Sequence, residues 1–132
     1  MPVFLLDTSV LIDMLNSNRN RAAQLRLLVE RGHDLASCPI TIAEVIAGMH
    51  PGEEAETETL LNRLRFYPIS REVATLAGRM KYAWARKGVT LSLSDTLIAA
   101  TAVHYDLVCI TDNRRHFPMP ELVLYDLDGP QV

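Results

Sequence analysis

Cysteine is nearly missing from this chain: only Cys38 and Cys109 occur among its 132 residues. Both stand in apolar, strand-like segments, where a cysteine behaves as a small buried hydrophobe. Their spacing suits no metal site and no disulfide framework, and nothing points to an oxidising compartment. No apolar run approaches the ~20 residues needed to cross a bilayer. The opening Met-Pro-Val-Phe-Leu-Leu-Asp has no basic stretch and reaches a carboxylate at once, so it reads as a core strand and not as a signal peptide. These absences point to a cytosolic, non-membrane protein. A strong charge of either sign is also lacking, at net −3. That balance argues against wholesale binding to a phosphate backbone, but the charge is unevenly spread. Glu53, Glu54, Glu56 and Glu58 cluster, Lys81, Arg86 and Lys87 share one predicted helix, and Arg114 and Arg115 are adjacent. Repeats, linkers and low-complexity segments are missing too, so residues 1–132 read as one domain.

What the chain does have is alternation. Residues 3–7, 34–38, 66–69, 107–111 and 122–125 are short apolar runs of the kind buried in a parallel sheet. Between them lie helical patterns. Thr8 or Ser9 is expected to cap a short helix over 10–15. A second covers 21–31, with Ala22, Leu25, Leu28 and Val29 on its inner face. Thr41-Ile42-Ala43-Glu44 matches a capping box opening a helix to about Met49. His50-Pro51-Gly52 breaks it, and the Glu-rich segment begins another helix carrying Leu60, Leu61 and Leu64 inward. Ser70 caps the longest helix, 71–87, with Val73, Leu76, Ala77, Met80 and Trp84 in phase. Ser92 opens a helix so apolar, from Leu97 to Val103, that it belongs at the centre. The tail, 126–132, is expected to be loose. Strands alternating with helices give an α/β chain: a three-layer α/β/α sandwich around a parallel sheet of about five strands.

Four acids fall where one element hands over to the next. Asp7 and Asp112 close apolar runs, and Glu44 and Asp95 sit three residues after Thr41 and Ser92. In a parallel sheet the carboxyl ends of the strands share one edge, where ligands bind. Carboxylates gathered there repel one another unless a cation lies among them, and magnesium or manganese suits oxygen ligands. Each acid also has an ordinary use. Asp7 is a natural helix cap, although Thr8 and Ser9 would cap equally well. Glu44 and Asp95 fit capping boxes. Thr8, Ser9, Thr111 and Asn113 suit turns and caps, or would orient a carboxylate or a water beside a metal. Arg114 and Arg115 are either solvated or phosphate contacts. His116, in His-Phe-Pro, reads as a turn residue, and His33, His50 and His104 form no ligand set. Trp84, Tyr82 and Tyr105 are candidates for base stacking, but Trp84 on an apolar helix face reads as core.

The ordered set of Asp-Thr-Ser at 7–9, Glu44, Ser-Asp at 94–95 and Thr-Asp-Asn-Arg-Arg-His-Phe-Pro at 111–118 resembles a PIN domain over essentially the whole chain. Within that family it is most similar to the VapC-type toxins of toxin–antitoxin pairs. The resemblance implies an endoribonuclease that needs Mg2+ or Mn2+ and is restrained by a cognate antitoxin, as a homodimer or a toxin–antitoxin hetero-oligomer. It implies a metal site of Asp7, Glu44, Asp95 and Asp112, with Asp7 and Asp95 as direct ligands. At the last motif either Asp112 or Asn113 faces the metal. Two rival readings belong to other classes. A magnesium-dependent phosphatase or phosphotransfer protein would want an acid two residues after Asp7 or a buried lysine, and Asp7 is followed by Thr-Ser-Val. A catalytically inert PIN-like binding module would use the acids as caps alone.

Overall fold

The computed structural model describes residues 2–18 and 20–129. Val3–Leu6 forms β1, and every strand that pairs in its sheet runs parallel to it. The elements follow in the order α1 (Thr8–Leu15), α2 (Arg21–Glu30), β2 (Asp34–Ser37), α3 (Pro39–Ala47), α4 (Glu54–Arg63), β3 (Arg65–Phe66), α5 (Arg71–Arg86), α6 (Leu93–His104), β4 (Val108–Ile110), a 3-10 turn (Arg114–His116) and β5 (Leu124–Tyr125). The sheet order is β3-β2-β1-β4-β5. The chain therefore winds outward from β1 in one direction, then crosses back to lay β4 on its other side. The point of reversal, between β1 and β4, opens a crevice at the carboxyl edge. Leu5 is in register with Cys109 and Leu6 with Ile110, which brings Asp7 and Thr111, one step further on, side by side.

Side chains alternate across the strands and feed two cores. Leu5, Ala36 and Cys109 pack with α5 and α6 on one face, while Phe4, Leu6 and Ile110 pack with α1, α2 and Val45 of α3 on the other. This is the three-layer sandwich expected. Helix α6 is its central helix, with Ile98, Ala99, Ala100 and Ala102 fully buried. Ile98→Ala should cost about 3 kcal/mol, from lost burial plus the cavity left behind. Val29→Ala should move stability by no more than about 0.5 kcal/mol, because Val29 is largely exposed. Urea denaturation of the two variants checks the contrast.

Several boundaries differ from expectation. On α2 the buried residues are Arg21, Leu25 and Leu28, whereas Ala22 and Val29 face outward. Strands β3 and β5 are two residues each, too short for the runs read at 66–69 and 122–125. The tail is anchored as far as it is described: Leu127 is buried in the second core and Asp128 pairs with Arg21. Residues 130–132 lie outside the described residues. The apolar stripe of α5 is consumed by its own chain, since Val73, Ala77 and Met80 are core residues; it leaves little for a partner to cover. Both cysteines are buried and free. No helix among the described residues is long and apolar enough to cross a membrane.

Candidate active site

Asp7 leaves β1 in extended conformation and becomes the cap of α1. The helix begins at Thr8, so neither Thr8 nor Ser9 has the capping role expected of it. Asp7 Oδ1 accepts the Thr8 N–H at 2.8 Å, and Oδ2 accepts the Thr111 hydroxyl at 2.7 Å. Thr111 is itself held by the Asn113 N–H, which donates to its Oγ1 at 3.0 Å. The Asp7 N–H donates to Ile110 O at 2.9 Å, extending the β1–β4 ladder into the crevice. Capping thus occupies one lone pair of a carboxylate that has about four. The cap and the functional reading are compatible.

Burial pushes the Asp7 carboxyl above the usual carboxylate range; its bonds from Thr111 and Thr8 oppose this, and the charges of Asp95 and Glu44 add to it. Those two acids therefore act on Asp7 across the crevice. Glu44 is not part of a capping box. Cys38 caps α3, Pro39 takes the first helical position, and the Thr41 hydroxyl turns back to the Cys38 backbone. Proline suits that position because its missing N–H would be unpaired there anyway. Glu44 lies beyond the first turn, and its Oε1 accepts the Thr8 hydroxyl at 2.6 Å. Asp95 does sit in the first turn of α6, its N–H donating to the Ser92 hydroxyl at 3.1 Å. Its Oδ2 is 3.4 Å from His116 Nδ1, so His116 reaches the site instead of merely closing a turn.

Asp112 goes elsewhere. Its Oδ1 bonds Arg21 Nη2, on the far side of the loop. Among the described residues, no three acidic, histidine or cysteine side chains lie close enough together to hold a metal ion. The donor chemistry nevertheless suits a hard cation on the Asp7 side. The charges of Asp95 and Glu44 reach Asp7 there, and the Ser9 hydroxyl is buried without a hydrogen-bond partner. Arg114 and Arg115 are exposed on the turn after Asn113. Trp84 is half-buried against the first core with Lys87 over its ring, and Tyr105 donates to Pro68 O. Tyr82 is the most exposed of the three candidates, with Arg86 over its ring.

Sequence reasoning missed Arg21, Asp128 and the pairing of His116 with Asp95. For Arg21 a signal exists: a cation as the first residue of a helix opposes the helix dipole, so it requires carboxylates nearby.

The family model that describes the PIN domain matches residues 4–121. This chain belongs to the PIN-domain family. Ribonuclease VapC10 of Mycobacterium tuberculosis is 38% identical over 121 residues, covering 90% of this chain and 89% of that protein. Ribonuclease VapC19 of the same organism is 31% identical over 121 residues, covering 89% of this chain and 95% of the other. Among solved structures, the DNA-bound VapBC of Salmonella typhimurium superposes with a TM-score of 0.81 at 28% identity, over 96% of this chain and 99% of its counterpart. As a PIN domain, the chain carries Asp7 and Thr111 at the reversal of strand order, where an α/β sheet binds its ligand.

Proposed function

We propose that this PIN domain is a divalent-cation-dependent endoribonuclease, the toxin of a toxin–antitoxin pair. One observation carries the reading: a buried Asp7 at the strand-order reversal, within reach of the charges of Glu44 and Asp95. The relatives named ribonucleases support it. Asp7, Asp95 and Glu44 are the residues that would hold Mg2+ or Mn2+. A bound cation would neutralise charge on the phosphoryl oxygens and acidify a water. The chain's own groups prepare for this. Thr111 and the Thr8 N–H fix the Asp7 carboxylate in one orientation. The Thr8 hydroxyl holds Glu44, and His116 steadies Asp95. Arg114 and Arg115, exposed beside the crevice, are placed to meet the negative backbone of an RNA. Hydrolysis by water leaves a 5′-phosphate and a 3′-hydroxyl.

Purified, antitoxin-free protein incubated with total RNA tests this. Cleavage is expected with Mg2+ or Mn2+ and none with EDTA. Undiminished cleavage in EDTA would remove the metal, and intact RNA under all three conditions would remove the nuclease. We further propose a cognate antitoxin as partner, in keeping with the VapBC assemblies among its structural neighbours, and a homodimer of the free toxin. A mass of about 15 kDa by light scattering across the micromolar range would sink the dimer.

A further inference from the structure

Arg21 is the largest fully buried side chain in the protein. A guanidinium out of contact with water is strongly unfavourable unless its donors are met by charge. Here the two Nη groups are met from two distant parts of the chain, while Nε is buried without a hydrogen-bond partner. Nη2 bonds Asp112 Oδ1 and, at 3.0 Å, Asp128 Oδ2, while Nη1 reaches Asp128 Oδ1 at 3.0 Å and Gln24 Oε1 at 2.6 Å. Both nitrogens on both oxygens of Asp128 is the fork geometry that gives Arg–carboxylate pairs their directionality. Gln24 in turn donates to Leu127 O and to Asp128 Oδ1, each at 3.2 Å, and Leu127 is buried. The hydrogen bonds to Asp128 outweigh burial and, with the Asp112 charge, keep Arg21 above its ordinary pKa.

What Arg21 grips is the loop that builds the site. Within 111–116, Thr111 donates to Asp7, Asn113 holds Thr111, Asp112 meets Arg21, and His116 meets Asp95. We propose that Arg21 and Asp128 are positioning residues: anchored by the C-terminal segment, Arg21 fixes Asp112 and with it the loop that orients Asp7 and Asp95. Asp112 gives its Oδ1 to this latch, and positioning is the role assigned to it in place of metal ligation. The inference rests on the nuclease reading above and assigns the fourth acid a different role from the one its place in the motif implies.

Two quantities separate a latch from a ligand: Mn2+ affinity, followed by electron paramagnetic resonance of the free ion, and the split of RNA cleavage into kcat and KM. Asp112→Asn and Asp128→Asn should share one phenotype, because each breaks the same ion-pair chain. We expect kcat to fall about tenfold in each, with any change in KM and in Mn2+ affinity the same in both variants and the loss of Mn2+ affinity below about tenfold. The double variant should be no worse than either single one, as members of one network are not additive. Asp128→Glu should restore most of kcat. Asp128 is about half exposed, at 55%, so its variants keep the fold where Arg21→Lys does not. Asp7→Asn provides the contrast, losing Mn2+ binding altogether. Asp112→Asn that loses Mn2+ tenfold or more while Asp128→Asn keeps it would make Asp112 a ligand and overturn the latch. Wild-type kcat in Asp128→Asn, measured well below its melting temperature, would overturn it equally. A wild-type protein that neither binds Mn2+ nor cuts RNA would instead bring down the nuclease reading, and the latch with it.

Discussion

Asp7→Asn is expected to abolish RNA cleavage and, in the absence of metal, to raise the melting temperature. The loss should be about a thousandfold or more, equivalent to roughly 4 kcal/mol of barrier, since charge stabilisation by a bound cation is worth several kcal/mol. Stability moves the other way. Asn keeps the shape and the cap, because its carbonyl oxygen still accepts the Thr8 N–H. It removes a buried charge that faces two like charges. The folded-state pKa of Asp7 lies above its unfolded value, so the native state binds the proton more readily. Stability therefore falls as pH rises from the ordinary carboxylate range, about 4, through the folded pKa, and the deficit is complete above it. The advantage of Asp7→Asn should be full at neutral pH and vanish toward pH 4. A gain of about 1 kcal/mol would appear as roughly 4 °C in a domain of this size. Melting curves with EDTA at both pH values check the prediction. An Asn variant that melts lower than wild type at neutral pH would mean that the bond from Thr111 outweighs the relief of like charge.

The strands with two buried neighbours were legible in the sequence because burial on both faces writes itself as an unbroken apolar run: Val3 to Leu6, Val108 to Ile110. The edge strands β3 and β5 were read in the right places but too long, since the apolar residues beside them, Tyr67 and Ile69 or Leu122 and Val123, continue the run past the paired positions. Helix α6 was legible for the same reason as β1. Its alanines and Ile98 fill a space with no solvent side. Helix starts were read less well. Thr41 has the right spacing to Glu44 for a capping box, yet tertiary packing lets Cys38 cap and Pro39 begin the helix, and local propensity has no view of that. The same shift frees Glu44 to meet Thr8, which strengthens its place in the site. The placing of the four acids between elements was legible because chain order and strand ends are properties of sequence. The partner of the fourth was not. Arg21 and Asp128 are 107 residues apart, and nothing in either neighbourhood names the other.

Ile46→Asp is expected to weaken the antitoxin complex by about a hundredfold or more while leaving the free toxin's cleavage rate unchanged. Helices α3 and α4 and the end of β3 enclose a groove of about 590 Å3, lined by Ile42, Ile46, Leu61, Leu64 and Phe66, with Ser37 and Glu58 at its margin. Ile46 and Phe66 are 43% and 54% exposed, a cost an isolated chain has no reason to bear. Apolar residues at helical spacing across a groove suit the apolar face of a partner helix. An aspartate at its centre would bury an unpaired charge against that face, and losses above 2 kcal/mol are typical at such central positions. Ser37, which lines the groove, ends β2 at the same carboxyl edge of the sheet that Asp7 leaves. An antitoxin helix seated in the groove would need only a short basic extension to bring an Arg or Lys to Asp7 and Asp95, where the proposed cation would sit. Two ligands that favour one cluster of carboxylates must oppose each other, and the coupling is reciprocal. Raising Mg2+ should then weaken the complex more than NaCl of equal ionic strength, which acts by screening alone. Equal weakening by both salts would place inhibition outside the crevice. Full antitoxin affinity in Ile46→Asp would take the helix out of the groove.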